Sequence, residues 1–178
     1  MNLSLNITLT ITDVIAYTRN WKYMSGAERD KTRTRQSGEV FTPTPLVQEI
    51  LNQLPIEQFQ DPTKTFLDPS CGDGQFLSEV LIKKMENGST FEQALSTIYG
   101  VDIMEDNVQL CRDRLLCGQE HLRHIVEKNI VCHDALTYDY SFGEKDENSL
   151  FDEPLPVVKV EKSKPKKKSK IVNTGLFE

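Results

Sequence analysis

A chain of 178 residues has room for one α/β domain and a tail, and it is short for an enzyme that must also recognise a macromolecule. The composition, with 38% hydrophobic residues and a net charge of −6, is that of a soluble globular protein. No apolar run approaches the roughly 18 residues of a membrane span, which excludes an integral membrane protein, and the first residues lack a signal-peptide pattern, so we expect a cytoplasmic protein. The four cysteines contain no CxxC pair and the three histidines complete no zinc pattern, so we expect reduced thiols and no metal.

The first forty residues predict a strand, a helix and a loop. Residues 2–11 alternate between apolar and polar side chains, which predicts a strand with one buried face. Asp13 is expected to cap a helix that runs through Trp21. The charged segment that follows breaks the periodicity and predicts an exposed loop, in which Arg33 and Arg35 are either solvated or in contact with phosphate groups.

The central stretch of the chain predicts a ligand-binding turn. After a helix that Pro45 begins and Pro55 ends, the strand TFLD leads to Asp68 and the turn PSCGDG. Gly72 and Gly74 can take positive φ and let a ligand approach the backbone, beside the outward N–H groups of the next helix. A leucine stands at the third glycine of the dinucleotide fingerprint, and no GK[ST] is present. An acid before the turn and no cation within it suit a ligand with amine and hydroxyl donors better than phosphates.

Two further strands repeat this ending. YGVDI places Asp102 at its end and NIVCHDAL places Asp134 near its end, as TFLD places Asp68. Helices are predicted between them, at residues 75–85, 91–98 and 105–116. Strands that each deliver an acid at the carboxyl end, separated by helices, predict a doubly wound parallel α/β sheet with helices on both faces and a ligand crevice along one edge.

The last part of the chain has a different composition. Residues 151–178 carry seven lysines against four acidic residues, so this tail has a charge of +3 and the first 150 residues carry −9. PVVKV, residues 156–160, is a candidate edge strand, and the lysine-rich stretch after it predicts disorder. Such a tail either keeps the protein soluble or contacts nucleic acid.

Four motifs, taken together and in this order, resemble the cofactor half of S-adenosylmethionine-dependent DNA adenine-N6 methyltransferases: GEVFTP, LDPSCGDGQFL, YGVDI and HDAL. The FTP motif comes first, which is similar to the γ arrangement of type I modification subunits and related restriction-modification methylases. The resemblance implies a Rossmann-like class I methyltransferase sheet, reduced in strand number, over residues 38–150. An N-terminal strand, helix and loop (1–37) precede this domain and the basic tail (151–178) follows it.

The resemblance also implies a role for each motif. Asp102 would accept hydrogen bonds from both ribose hydroxyls, and Ile103 would pack on the adenine ring. Asp134, followed by Ala135, would accept from the adenine amine. The methionine end would be held by the remaining motif residues: Thr42, Pro43, Asp68, Cys71, Gly72 and Gly74. For each acid by itself, helix capping is the competing explanation.

The catalytic tetrapeptide of this family, [ND]PP[YF], is not found after Asp134. The nearest string, DEPLP at residues 152–156, has no aromatic residue, so we assign no catalytic residue. A target-recognition region and the remaining strands are also missing. The open side of the first strand must then be covered by residues 2–11, by residues 156–160 or by a partner chain.

Three functions therefore stay open. The chain is an adenine methyltransferase that acts on DNA, alone or completed by a second polypeptide with the catalytic and recognition parts. Alternatively, it is a catalytically inactive module that binds the cofactor or a partner. In the third case it is a degenerate relative whose tail binds another protein, since the Leu-Phe pairs in ENSLFDE (147–153) and NTGLFE (173–178) look like ligands of DNA sliding clamps.

Overall fold

The computed structural model of the protein describes residues 9–19 and 42–143. By its internal contacts the chain divides into two units, Met1–Glu144 and Lys145–Glu178, and all the described residues belong to the first. Several predictions lie outside the described residues: most of the strand at 2–11, Trp21, the loop with Arg33 and Arg35, the strand at 156–160 and both Leu-Phe pairs.

The described residues form helices and short strands in alternation. The strands are β1 (Phe66–Asp68), β2 (Ile98–Asp102) and β3 (Ile130–Cys132). The helices are α1 (Ile11–Arg19), α2 (Thr44–Asn52), α3 (Glu57–Gln60), α4 (Gln75–Glu86), α5 (Phe91–Ser96), α6 (Glu105–Leu116) and α7 (Arg123–Asn129), with a 3-10 turn at Glu120–Leu122. The predicted elements from Pro45 to Leu116 are confirmed to within one or two residues. The 3-10 turn, α3 and α7 were not predicted.

The three strands form a parallel sheet in the order β1, β2, β3. Phe66 pairs with Ile98, and Gly100 pairs with Ile130. Parallel strands need crossover connections, and here helices supply them, which confirms the predicted α/β class. Within the described ranges β1 and β3 are the two edge strands of the sheet, and β2 lies between them.

The third strand is shorter than predicted, because the chain turns after Cys132. The Asp134 carboxylate accepts the N–H of Leu136 at 2.9 Å, and its carbonyl accepts the N–H groups of Thr137 and Tyr138 at 3.0 Å. Asp134 therefore lies two residues beyond β3, in a turn, and not at the end of the strand itself.

The helices pack against the sheet around α4. This helix contacts β1, β2, α1, α2, α5 and α6, and nine of its twelve residues are buried. The opposite face of the sheet is contacted by the segment after β3, where the Phe142 ring lies 4.7 Å from the Tyr99 ring. Leu67, the register partner of Tyr99, is 47% exposed on that face. The second helical layer that a doubly wound sheet requires stays a prediction.

The strand predicted for residues 2–11 is wrong at its described end, because α1 begins at Ile11. Thr10 Oγ1 accepts the N–H of Asp13 at 3.2 Å, and the Asp13 carboxylate accepts the N–H of Thr10 at 2.9 Å. This reciprocal pair is a capping box, which overrides the alternating pattern just before it. Thr10 is therefore the cap, and Asp13 supports it from the first turn of the helix.

Large apolar side chains are exposed along one flank of the molecule. Leu46, Ile50 and Leu54 follow one another at helical spacing on the outer side of α2 and just beyond it, and each is at least 40% exposed. With Leu67 they form what we call the β1 flank. An apolar hollow of about 370 Å³ lies here, lined by Leu54, Leu67 and Val80 among others. Contiguous exposed apolar surface of this kind marks interaction sites.

Candidate functional site

The carboxyl ends of the three strands are tied together by backbone hydrogen bonds. The N–H of Cys71, in the turn after β1, donates to the Val101 carbonyl at 3.0 Å. The N–H of His133, just after β3, donates to the Asp102 carbonyl at 3.0 Å. The segments that contain Asp68, Asp102 and Asp134 therefore meet along one edge of the sheet, where open α/β sheets bind their ligands.

The turn after β1 adopts the backbone conformation that its glycines predict. Gly72 has φ 52° and Gly74 has φ 84°, and Gly74 is the cap residue of α4. A Cβ atom at position 74 would lie 2.7 Å from Cys111 Sγ, so a larger residue there would force Cys111 to shift. Cys71 is buried, with its Sγ atom beside Gly100, so only its backbone can face a ligand.

The Asp102 carboxylate accepts more hydrogen bonds from within the protein than the sequence predicts. Its Oδ2 atom accepts the N–H of Gly72 at 2.9 Å, while Oδ1 accepts the N–H of Met104 at 2.9 Å and the Asn107 amide at 3.3 Å. A carboxylate has about four lone-pair sites, so three donors leave roughly one for a ligand. Asp102 thus fixes the glycine turn to the end of β2.

Asn107 was missed by the sequence analysis, although it contacts the most heavily bonded acid of the site. It is buried on the inner side of α6 and is five residues after Asp102. The sequence signal is its spacing, because Asn107 falls on the same helical face as Cys111 and Leu115, which face the core. An amide on that face needs hydrogen-bond partners.

Asp68 and Thr42 lie in one hollow. Both line the 370 Å³ hollow of the β1 flank, together with Pro69 and Ser70. Asp102 and Asp134 do not line it. The Asp68 carboxylate accepts the N–H of Ser70 at 3.0 Å. Burial raises the pKa of Asp68, the nearby charge of Asp102 adds to the shift, and the Ser70 hydrogen bond opposes it. Pro43, next to Thr42, is exposed and caps α2.

The edge beyond β2 and β3 carries exposed apolar side chains. Ile103, which follows Asp102, is 66% exposed, and Leu136, two residues after Asp134, is 94% exposed. Cys132 Sγ lies 3.6 Å from the Ile103 carbonyl oxygen, which places the end of β3 beside Ile103. Ala135 is half-buried in the same turn. Leu136 was not predicted as a site residue, although it belongs to the HDAL motif.

The arrangement supplies acceptors and apolar surface, and the described ranges contain no cluster of three or more His, Cys, Asp or Glu side chains that could hold a metal ion. All four cysteines are free thiols. In the same ranges no helix is long and apolar enough to cross a membrane. The acceptors at the strand ends and the exposed apolar side chains beside them suit an organic ligand that carries hydrogen-bond donors and a ring.

Comparison with known proteins agrees with this chemistry. The N-6 DNA Methylase family model matches residues 27–153. The chain is also similar to the Type II methyltransferase M.VspI of Vibrio sp. (strain 343), with 30% identity over 112 residues. That alignment covers 62% of this chain and 23% of the relative, so the chain spans about a quarter of the length of this curated relative. No solved structure matches the chain significantly.

Proposed function

The chain belongs to the N-6 DNA methylase family, and from this premise we propose that it binds S-adenosylmethionine and forms the cofactor half of a DNA adenine-N6 methyltransferase of the γ arrangement. One observation carries the proposal: the glycine turn after β1 is fastened to the Asp102 carboxylate at the edge where all three strands end. This edge joins a backbone that a ligand can approach closely to acids that accept from its donors.

We assign the nucleoside end of the cofactor to the residues after β2 and β3. Asp102 accepts from one ribose hydroxyl through its remaining lone pair, fewer than the two expected from the motif. Ile103 offers its exposed side chain to the adenine ring, and Leu136 adds apolar surface nearby. Asp134, next to Ala135, accepts from the adenine amine. These groups match the donors and the ring of the ligand.

We assign the methionine end to the residues around β1. The Asp68 carboxylate would hold the ammonium group, and the backbone at Cys71, Gly72 and Gly74 would bind beside it. Thr42 and Pro43 approach from α2, because Thr42 and Asp68 line the same hollow. When bound, the cofactor supplies a methyl group on a sulfonium for transfer.

The affinity for S-adenosylmethionine should depend on pH through Asp68. The pKa of Asp68 is raised from the ordinary 3.8, so its protonated form stabilises the folded protein. This contribution is fully present below pH 3.8 and is lost as pH rises through the raised pKa. The ammonium needs the ionised carboxylate, so affinity should fall as pH falls from 7 through that same pKa. Calorimetry between pH 4.5 and 7 checks this, with circular dichroism to confirm the fold.

Asp68→Asn is the matched variant for this measurement. Its affinity should be weaker than that of wild type at pH 7 and should lack the pH dependence that comes from Asp68, so the difference should narrow as pH falls. Asp134→Asn should keep that pH dependence. If wild type and Asp68→Asn show the same pH dependence, Asp68 does not hold the ammonium.

We propose that the methyltransferase domain spans residues 38–150, between an N-terminal region (1–37) and the basic tail (151–178). A second polypeptide segment brings the missing [ND]PP[YF] tetrapeptide and the target-recognition part, and it covers the β1 flank. The basic tail supports contact with DNA phosphates, and a sliding-clamp contact through the Leu-Phe pairs stays a prediction. A methyltransferase whose cofactor-binding and recognition parts lie on two polypeptides suits a restriction-modification system.

One feature favours a second candidate, a cofactor-binding module without chemistry: the sequence contains no [ND]PP[YF]. Calorimetry with S-adenosylmethionine tests both candidates, because absence of binding by the folded protein removes both. Transfer of labelled methyl groups to unmethylated DNA separates them. Transfer by the purified chain supports the methyltransferase and shows that the tetrapeptide is dispensable. Binding without transfer, alone or with added [ND]PP[YF]-bearing polypeptides, supports the module.

A further inference from the structure

A buried arginine lies directly behind the glycine turn. Arg114, on α6, is 1% exposed, and its guanidinium lies 3.5 Å from a carboxylate oxygen of Asp73, the residue between the two glycines of the turn. Asp73 is itself 4% exposed. Burial lowers the pKa of Arg114 to about 9, so the guanidinium remains charged at pH 7. An ion pair therefore anchors the turn from its inner side.

The same guanidinium reaches two other elements. Its Nη2 atom donates to Gln75 Oε1, at the start of α4, at 2.7 Å, and to the Thr18 carbonyl of α1 at 3.3 Å. The Gln75 amide in turn donates to Thr44 Oγ1 at 2.6 Å. Thr44 begins α2 and directly follows Pro43. A buried chain of contacts thus runs from Asp73 through Arg114 and Gln75 to Thr44.

We infer that Arg114 is the positioning residue that holds the glycine turn and the Thr42-Pro43 segment in register for cofactor binding. The inference rests on the proposed function, because these two segments are the ones assigned to the methionine end. Arg114 does not touch the ligand. It acts by holding Asp73 inward, which fixes the backbone of Gly72 and Gly74 on either side of it, and by fixing Gln75 against Thr44.

Stability of the fold alone does not account for this arrangement. A buried ion pair costs desolvation, and apolar side chains of similar volume commonly replace such pairs with little or no loss of stability. A guanidinium, in contrast, directs several donors at fixed angles in one plane, which lysine and methionine do not. Three partners on three segments use that property. One of these segments is the glycine turn, and Gln75 links the guanidinium to Thr44, next to the Thr42-Pro43 segment.

The test compares Arg114→Met with Arg112→Met. Arg112 is on the same helix, but its guanidinium donates to the Ile130 carbonyl at 2.7 Å, away from the turn, so it controls for loss of an α6 arginine. For Arg114→Met we expect affinity for S-adenosylmethionine to fall about tenfold or more, because binding must then order the turn. Arg112→Met should bind within about twofold of wild type. Calorimetry below the unfolding temperature of all variants gives both numbers.

Amide hydrogen exchange of the ligand-free protein gives an independent readout. The N–H of Gly72 donates to the Asp102 carboxylate and the N–H of Gly74 donates to the Cys71 carbonyl, whereas the N–H of Ala94, in α5, donates to the carbonyl of its cap residue Thr90. In Arg114→Met the two glycine amides should exchange about tenfold faster, with Ala94 unchanged. A merely structural role would change all three amides together or none.

If Arg114→Met does not fold, Asp73→Asn tests the positioning role instead, because it preserves the shape of the side chain and removes only its charge. It should reproduce the faster glycine exchange and the weaker binding. Wild-type exchange rates at Gly72 and Gly74 in a folded variant overturn the positioning role. If wild type itself binds no S-adenosylmethionine, the proposed function fails, while the exchange measurement still decides whether Arg114 positions the turn.

Discussion

Replacing Asp102 with alanine is expected to weaken S-adenosylmethionine binding by about 100-fold or more and to lower the free energy of unfolding by about 3 kcal/mol. The loss is large because the carboxylate serves two purposes. It is proposed to accept from a ribose hydroxyl, and it already accepts from Gly72, Met104 and Asn107. Without it, three donors lose a charged acceptor and the glycine turn is released. Calorimetry and urea unfolding measure the two effects.

Asp102→Asn separates the two purposes, because it keeps one acceptor oxygen in place and removes the charge. We expect it to recover part of the stability while binding stays weak. Asp134→Asn, in the exposed turn after β3, should leave the unfolding free energy unchanged. If Asp102→Ala folds and binds with wild-type affinity, the ligand does not use this edge of the sheet.

Gly74→Ala is the second change with a large expected effect. The new Cβ would lie 2.7 Å from Cys111 Sγ, at a φ of 84°. Left-handed backbone costs alanine about 1–2 kcal/mol, and overpacking adds about 1–3 kcal/mol, so we expect a loss of about 3 kcal/mol in unfolding free energy. Urea unfolding followed by circular dichroism measures it.

Gly118→Ala is the matched control, because Gly118 has φ 76° and, its chain neighbours aside, no described residue has an atom within 4 Å of the position that a Cβ would take there. It should show the backbone cost alone, about 1–2 kcal/mol. Adding Cys111→Ala to Gly74→Ala should then recover the overpacking part. Equal losses for Gly74→Ala and Gly118→Ala would contradict the steric argument and leave only backbone strain.

The sequence predicts the parts of the fold that local patterns control. The bounds of α4 and α6 follow from helical periodicity, and Pro45 lies in the first turn of α2 as predicted. The segments with the three strand-end acids meet at one edge of the sheet, because parallel strands deliver their carboxyl ends to one side. That a ligand binds at this edge stays a prediction. Predictions from local signals of this kind are confirmed where the tertiary packing favours the same helices and strands.

Other features depend on contacts that no local pattern records. The helix α7 has no side-chain cap, so no local signal marks where it begins. The ion pair of Asp73 with Arg114 joins residues far apart in the chain. The number of hydrogen bonds that Asp102 accepts likewise depends on the position of Gly72 in the folded protein. These features are tertiary, so single-sequence reasoning misses them.

The β1 flank has a practical consequence for anyone who handles the protein. A strand edge that no other described strand pairs with, beside Leu46, Ile50 and Leu54, favours association of molecules in concentrated solution. This attraction weakens on cooling and strengthens in sulfate or phosphate. Cold, dilute buffers of low salting-out strength should therefore preserve single molecules, and ammonium sulfate should precipitate them early.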